Sequence, residues 1–311
     1  MALYLPIAEM PIGILMILAM GGAVGLISGL FGVGGGFLMT PLLIFSGIPP
    51  AVAVASVTPQ IVASSTSGAL AYFRRGQVDL KLAAILTLSG AVGAYAGAEL
   101  FALLGSLGQL TLVIAISYTV FLATIGGLTL NESVRAMLRA RAAKRRGGVQ
   151  PPARRGGGHG WIHHLPLKVR FRRSRLYISV LPVIGLGLSI SFLGTLLGIG
   201  GGFIMVPALI YVLKVPTSVV VGTSLLQIVG VMSIATVSHS VASQTVDGVL
   251  AFILMIGGVI GAQIGASLGQ AIRGEQLRAL LGLLVLAVGV RFALNLVLPP
   301  SSLFSITVLG Q

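Results

Sequence analysis

The sequence predicts an all-α integral membrane protein built from two inverted-topology repeats, each a broken, re-entrant helical hairpin plus three transmembrane helices. Three observations predict it. Of 311 residues, 56% are apolar and only 8% charged, with a mean hydropathy of +1.04; a soluble domain carries roughly 25% charged residues. Apolar runs of the ~20 residues needed to cross ~30 Å of hydrocarbon recur along the chain. A glycine-rich motif occurs twice, 166 residues apart.

The runs lie near 11–31, 50–72, 82–103, 110–130, 176–197, 216–238, 248–270 and 279–298. Two shorter apolar arms, 37–48 and 203–213, are too brief to span. None shows the period-two alternation of a membrane β-barrel strand. The first run has no Lys or Arg ahead of it, so 11–31 reads as retained structure rather than a cleaved leader. Cysteine is absent, which excludes disulfides, thiolate chemistry and cysteine-based metal sites. Glycine is abundant, as membrane helices require where they pack closely or break.

The repeated motif reads LFGVGGGFLMTP at 30–41 and LLGIGGGFIMVP at 196–207. The match continues with small slips. Pro50 faces Pro216, Ser56 faces Thr223, Gln60 faces Gln227, and Val78-Asp79 faces Val246-Asp247. Further on, GAVGAYAGA (90–98) faces GVIGAQIGA (258–266), and Gln109-Leu110 faces Gln276-Leu277. The chain is therefore a duplication, with an N-terminal transmembrane repeat over 1–130, a linker over 131–175 and a C-terminal repeat over 176–311.

Charge sets the orientation. Thirteen of the 20 Lys and Arg lie between Arg135 and Arg175, interleaved with Gly and Pro. That composition describes a flexible, disordered linker. A basic cytoplasmic loop that fixes topology and touches anionic headgroups explains it. A nucleic-acid arm would need a base-reading module, and none accompanies it. With the linker in the cytoplasm, the three crossings of each repeat place all basic residues except Arg291 on that side. Segments 11–48 and 176–214 must then each enter and return on the same side, with their turns at GVGGGF and GIGGGF. The two repeats enter from opposite sides, a common plan of secondary transporters.

These bends are the expected site. Non-helical backbone at membrane depth is tolerated only where protein or a water-filled cavity supplies partners. The arms after Gly34, Gly35, Gly36 and after Gly200, Gly201, Gly202 point helix N-termini at the membrane interior. Each end offers unpaired N–H groups and about half a positive charge, which suits an anion. The competing reading is that the glycines only permit tight packing. A dinucleotide loop is excluded by the flanking apolar helices, since that motif needs a βαβ unit. Ser56 and Gln60 in the first repeat, with Thr223, Ser224 and Gln227 in the second, are the expected pocket lining; interhelical hydrogen bonding is the alternative.

Ionisable residues inside the spans are few. Arg291 would attract anions at the outer mouth or snorkel to the interface. Glu99 reads as solvated near a helix end, Asp79 and Asp247 as N-caps, and His239 as a structural polar group. His159, His163 and His164 lack supporting carboxylates, so no metal site is assigned, and no cofactor is expected. The expected partners are a small anionic substrate and membrane lipid, with no nucleic acid; a homo-oligomer is left open.

The stretches GLFGVGGGFLMTPLLIFSGIPPAVAVAS and GTLLGIGGGFIMVPALIYVLKVPTSVVVGTSL, with the later GGVIGAQIGA, resemble the sulfite exporter TauE/SafE family of membrane permeases. The resemblance covers both repeats and leaves out the linker. It implies transport of sulfur oxyanions such as sulfite or organosulfonates in a bacterial cytoplasmic membrane. The first repeat departs from the Gly-Thr-Ser of 222–224, reading Ala55-Ser56-Val57. The expected function is a secondary transporter working by alternating access, and not an enzyme; an anion channel is the alternative.

Overall fold

The apolar runs fold as helices, and glycine and proline set where they stop. The computed structural model describes residues 2–31, 34–124, 126–127, 166–171, 173–174, 176–268, 283, 285–291 and 294. The chain divides into two compact units, Met1–Thr111 with Ala153–Ile272 and Leu112–Pro152 with Arg273–Gln311. The first unit thus draws on both repeats.

In that unit a short hairpin, β1 (Ala2–Leu5) and β2 (Met10–Gly13), precedes helix α1 (Ile14–Phe31). After the glycine turn come α2 (Gly36–Phe45), α3 (Pro50–Arg74) and α4 (Leu80–Ser106). The same order then recurs. Hairpin β3 (Lys168–Phe171) and β4 (Leu176–Ser179) leads into α6 (Val180–Leu196), a glycine turn, and α7 (Gly202–Tyr211). Helix α8 (Thr217–Ser238) ends in a single π turn, His239–Ser243, and α9 (Gly248–Leu268) comes next. Helix α5 (Leu110–Thr124) leads into the second unit, where Gly126 and Gly289 lie against Val285-Leu286 and Leu122-Ala123.

The hairpins correct two expectations. Residues 11–13 and 176–179 are strand, so the first helix of each repeat starts later than its apolar run. The last residues expected to be disordered linker include a strand, because Phe171 and Ile178 pack into a core cluster with Leu82, Leu86 and Val183. The rest of the linker to residue 165, with the His159, His163 and His164 group, lies outside the described residues, as does most of the expected run 279–298.

Among the described residues three helices are long and apolar enough to cross a membrane: Leu80–Ser106, Ser218–Ser243 and Gly248–Leu268. Helix α9 shows why this surface faces lipid. Phe252, Ile256, Ile260 and Ile264, four residues apart, are exposed, while Gly257, Gly261 and Gly265 on the other side are buried. A helix apolar on both faces has no water-facing side. The buried stripe packs against the Leu18, Gly22 and Leu26 carbonyls of α1, and a Cβ on Gly25 or Gly29 would strike the carbonyl oxygens of Gly258 and Ala262. Helices α4 and α6 meet in the same way, with Gly93 and Gly97 against the Leu188 and Phe192 carbonyls. Small residues at four-residue spacing let the backbones approach, which is how helices associate without a hydrophobic driving force. Helices α3 and α8 pack together, and α3 also packs on α9 while α8 packs on α4.

Candidate functional site

The two glycine turns have nearly the same backbone. Gly35 adopts φ 70°, ψ −21° before α2, and Gly201 adopts φ 71°, ψ −17° before α7. Left-handed values of this kind favour glycine. An added Cβ would also press on Val24 from Gly35 and on Ile190 from Gly201, at 3.1 Å in both cases. Each short helix has ten residues, about 15 Å at 1.5 Å per residue. Neither can cross a bilayer.

The turns converge. Phe37 and Phe203, the second residues of α2 and α7, stack with ring centroids 4.5 Å apart and planes at 12°. Thr40 of α2 donates to the Gly198 carbonyl in the opposite turn at 3.2 Å. Ile61 of α3 lies against Gly34, Gly36 and Gly200, and Ile228 of α8 against Gly34. Gly36 has no room for a Cβ beside Ile61 and the Gly198 carbonyl. Two helix N-termini, each worth about half a positive charge, therefore meet at a junction filled by two isoleucines and two phenylalanines.

Polar groups without partners sit next to this junction. Gln60 precedes Ile61 and is fully buried, yet neither its amide oxygen nor its amide nitrogen has a hydrogen-bond partner. Gln227 precedes Ile228; its Nε2 donates to Ser191 Oγ at 3.2 Å, and its Oε1 is unpartnered. The difference has a local cause. The residue 166 positions before Ser191 is Gly25. There α1 runs so close to Gly258 that no side chain fits, and Gln60 Nε2 lies against Gly258. Ser65 Oγ, Thr195 Oγ1 and His239 Nδ1 are also buried without partners. An unpaired buried polar group costs about 1–3 kcal/mol, so such a concentration calls for a reason.

Ser56 and Thr223 are drawn elsewhere. Ser56 Oγ accepts from the Asp247 backbone N–H at 2.8 Å. Thr223 Oγ1 accepts from the Asp79 N–H at 3.0 Å and donates to the Val219 carbonyl at 2.6 Å. Ser224 Oγ donates to the Val221 carbonyl within its own helix. Both aspartates do cap helices, as expected from sequence, through Oδ1: Asp79 accepts from Leu82 N–H, and Asp247 from Val249 and Leu250 N–H. Their second oxygens do something no motif announces. Asp79 Oδ2 accepts from the Ser174 N–H and hydroxyl, in the turn of the β3–β4 hairpin. Asp247 Oδ2 accepts from Ile7 and Ala8 N–H, in the turn of the β1–β2 hairpin. Each repeat's aspartate thus holds the other repeat's hairpin.

His239 is buried, with Nε2 3.3 Å from the Thr195 carbonyl and its ring edge-on to Phe101. Arg291 is exposed at the end of helical residues 285–291 in the second unit. Sequence reasoning missed Ile61, Ile228, Phe37 and Phe203, since apolar residues in an apolar helix carry no signal. Ser191 was within reach: extending the repeat alignment upstream of residue 30 pairs it with Gly25.

The sulfite exporter TauE/SafE family model matches residues 17–292. A Xylella fastidiosa (strain 9a5c) protein named "Probable membrane transporter protein" is 30% identical over 274 residues, covering 87% of this chain and 91% of that one. The Bacillus subtilis (strain 168) "Probable membrane transporter protein YunE" is 25% identical over 285 residues, covering 88% and 95%. The Arabidopsis thaliana "Sulfite exporter TauE/SafE family protein 3" is 31% identical over 108 residues, 33% of this chain and 23% of that one. No solved structure matches the chain. A match over most of the length, on a fold of packed apolar helices, makes this chain a multi-pass membrane protein of the sulfite exporter TauE/SafE family of membrane transporters.

Proposed function

We propose that the protein is a secondary transporter that moves a small sulfur-containing anion, such as sulfite or an organosulfonate, across a bacterial cytoplasmic membrane by alternating access. The observation that carries this reading is the meeting of two helix N-termini beside the orphaned amide of Gln60. A dry, positively polarised junction with spare N–H donors is matched to an anion that sheds its water there. Gly36 and Gly200 already donate their N–H groups to the Gly34 and Gly194 carbonyls, so Gly34, Gly35, Gly201 and Gly202 would supply the backbone N–H groups, and Gln60 and Gln227 the side-chain amides. All of these are neutral, so binding stays weak enough for release. Ser56 and Thr223 act one step away, by holding the helix starts at Asp247 and Asp79.

With the basic linker in the cytoplasm, the repeats are inverted relative to one another. Ile61 and Ile228, at the same place in each repeat, close the junction, and their withdrawal in turn would open it to either side. The two glycine turns would then exchange roles in the inward- and outward-open states.

Gln60→Met tests the reading. Methionine keeps the length of the side chain and removes both polar ends. If the glutamine serves only the fold, losing an unpaired buried amide is neutral or stabilising and leaves binding untouched. If it holds the anion, sulfite binding to the purified protein weakens about 10- to 150-fold, equivalent to one charge-assisted hydrogen bond of about 1.5–3 kcal/mol. Unchanged sulfite affinity in a folded Gln60→Met protein would overturn the assignment.

A further inference from the structure

The turn between α3 and α4 and the β3–β4 hairpin enclose a cleft of about 620 Å³. Four cationic side chains line it: Arg74, Lys81, Arg170 and Arg173. Asp79 is the single carboxyl in that lining, and its oxygens are already committed to Leu82 and Ser174. One carboxylate among four cations leaves the lining with a net positive charge. Arg173 is held in position by donating to the Gly76 carbonyl. Gly76 has φ +69°, a left-handed backbone that favours glycine in this turn.

A second cleft, of about 460 Å³, lies at the other end of α4. Ala51, Phe101, Ser106, Thr111, Ser243 and Thr245 are among its lining residues, and no charged side chain is. One helix of 27 residues thus runs from a strongly basic cleft to a neutral one. Clefts lined by one sign of charge focus the field and concentrate counter-ions.

We propose that the basic cleft is a separate binding site for a sulfonate- or phosphate-type oxyanion group, held by Arg170 and Arg173 together with Arg74 and Lys81. Guanidinium forks match the paired oxygens of such groups. At about 620 Å³ the cleft has room for an oxyanion carried on an organic body. That body belongs either to a free organosulfonate loading from the basic side or to an anionic lipid headgroup. On the transporter reading a free occupant would feed the glycine turns; binding itself does not depend on that reading.

The test uses the full chain in nanodiscs. In phosphatidylcholine, binding of methanesulfonate is measured for the parent and for Arg170→Gln/Arg173→Gln. In nanodiscs that also contain phosphatidylglycerol, the lipid-dependent rise in thermal stability is compared for the same pair. A free sulfonate as occupant predicts methanesulfonate affinity lower by about 10-fold or more, with a shallower salt dependence. A lipid headgroup predicts unchanged methanesulfonate affinity and loss of the phosphatidylglycerol effect. If the double variant changes neither, the inference is wrong. Arg170→Gln alone keeps the Arg173–Gly76 bond and serves if the double variant misfolds. Gly35→Ala separates this from the turn site: the arginine-dependent binding persists in it, and its disappearance would mean that the cleft is no site of its own.

Discussion

Replacing Asp247 by Asn probes the link between repeats at one atom. The carboxyl Oδ1 accepts from Val249 and Leu250 N–H at 3.1 and 3.0 Å, and Oδ2 accepts from Ile7 and Ala8 N–H at 2.9 and 3.4 Å. Asparagine keeps the first oxygen and the helix cap. It turns an NH2 group towards two N–H donors, so the short bond and the long one are both lost and the Ala8 N–H is left buried. A good hydrogen bond to a charged group is worth about 1.5–3 kcal/mol, and with the weaker bond the cost is about 2–4 kcal/mol. At roughly 2–4 °C per kcal/mol, thermal unfolding of the purified protein should fall by about 4–16 °C. Asp79→Asn should cost less, because the Ser174 hydroxyl can reverse and accept from the new amide. Hydrogen exchange should speed up in 2–13 for the first variant and in 168–179 for the second. Equal stability losses, or unchanged exchange in 2–13, would refute the reciprocal brace.

The same geometry carries further expected outcomes. Gly35→Ala and Gly201→Ala each force a Cβ into left-handed backbone at about 1–3 kcal/mol of strain; both should abolish sulfite transport in proteoliposomes while the protein still inserts. Gly25→Ala drives a Cβ into the Gly258 carbonyl and should lower the yield of folded protein, whereas Gly185→Ala, whose Cβ meets nothing within 4 Å, should leave yield and melting unchanged. Cysteines at Ser106 and Gln244 should react with an impermeant reagent from outside and one at Gln150 only from the cytoplasm; labelling of 106 and 150 from one side would remove the inverted arrangement.

The glycine turns were legible because residue type dictates their backbone: consecutive glycines in an apolar run leave few alternatives to a break, and both copies take the same φ and ψ. Gln60 and Gln227 were legible as recurring amides in otherwise apolar helices. The destinations of Ser56 and Thr223 were not, since an oxygen's partner on another helix depends on crossing geometry that no local pattern encodes. The hairpins escaped for a different reason. Strands of four residues flanked by Pro6, or set within an arginine-rich stretch, carry too little alternation to register. Their turns are held by aspartates on distant helices, so part of the signal for 2–13 lies at Asp247, more than two hundred residues away.

The packing of α1 on α9 has a consequence for synthesis. The glycine face of α1 ends at Gly29, and its complement begins at Gly257. At about 5–20 residues per second, the ribosome needs roughly ten to fifty seconds to supply the second after the first. Throughout that interval α1 has an unfilled backbone groove, and β1–β2 lacks the carboxyl that holds its turn. The same holds in reverse for α6, whose partner α4 is already waiting when it emerges. The C-terminal half therefore inserts against a template, while the N-terminal half is completed only once α9 has been made. Two separately expressed halves should each be poorly folded alone and recover stability when made together.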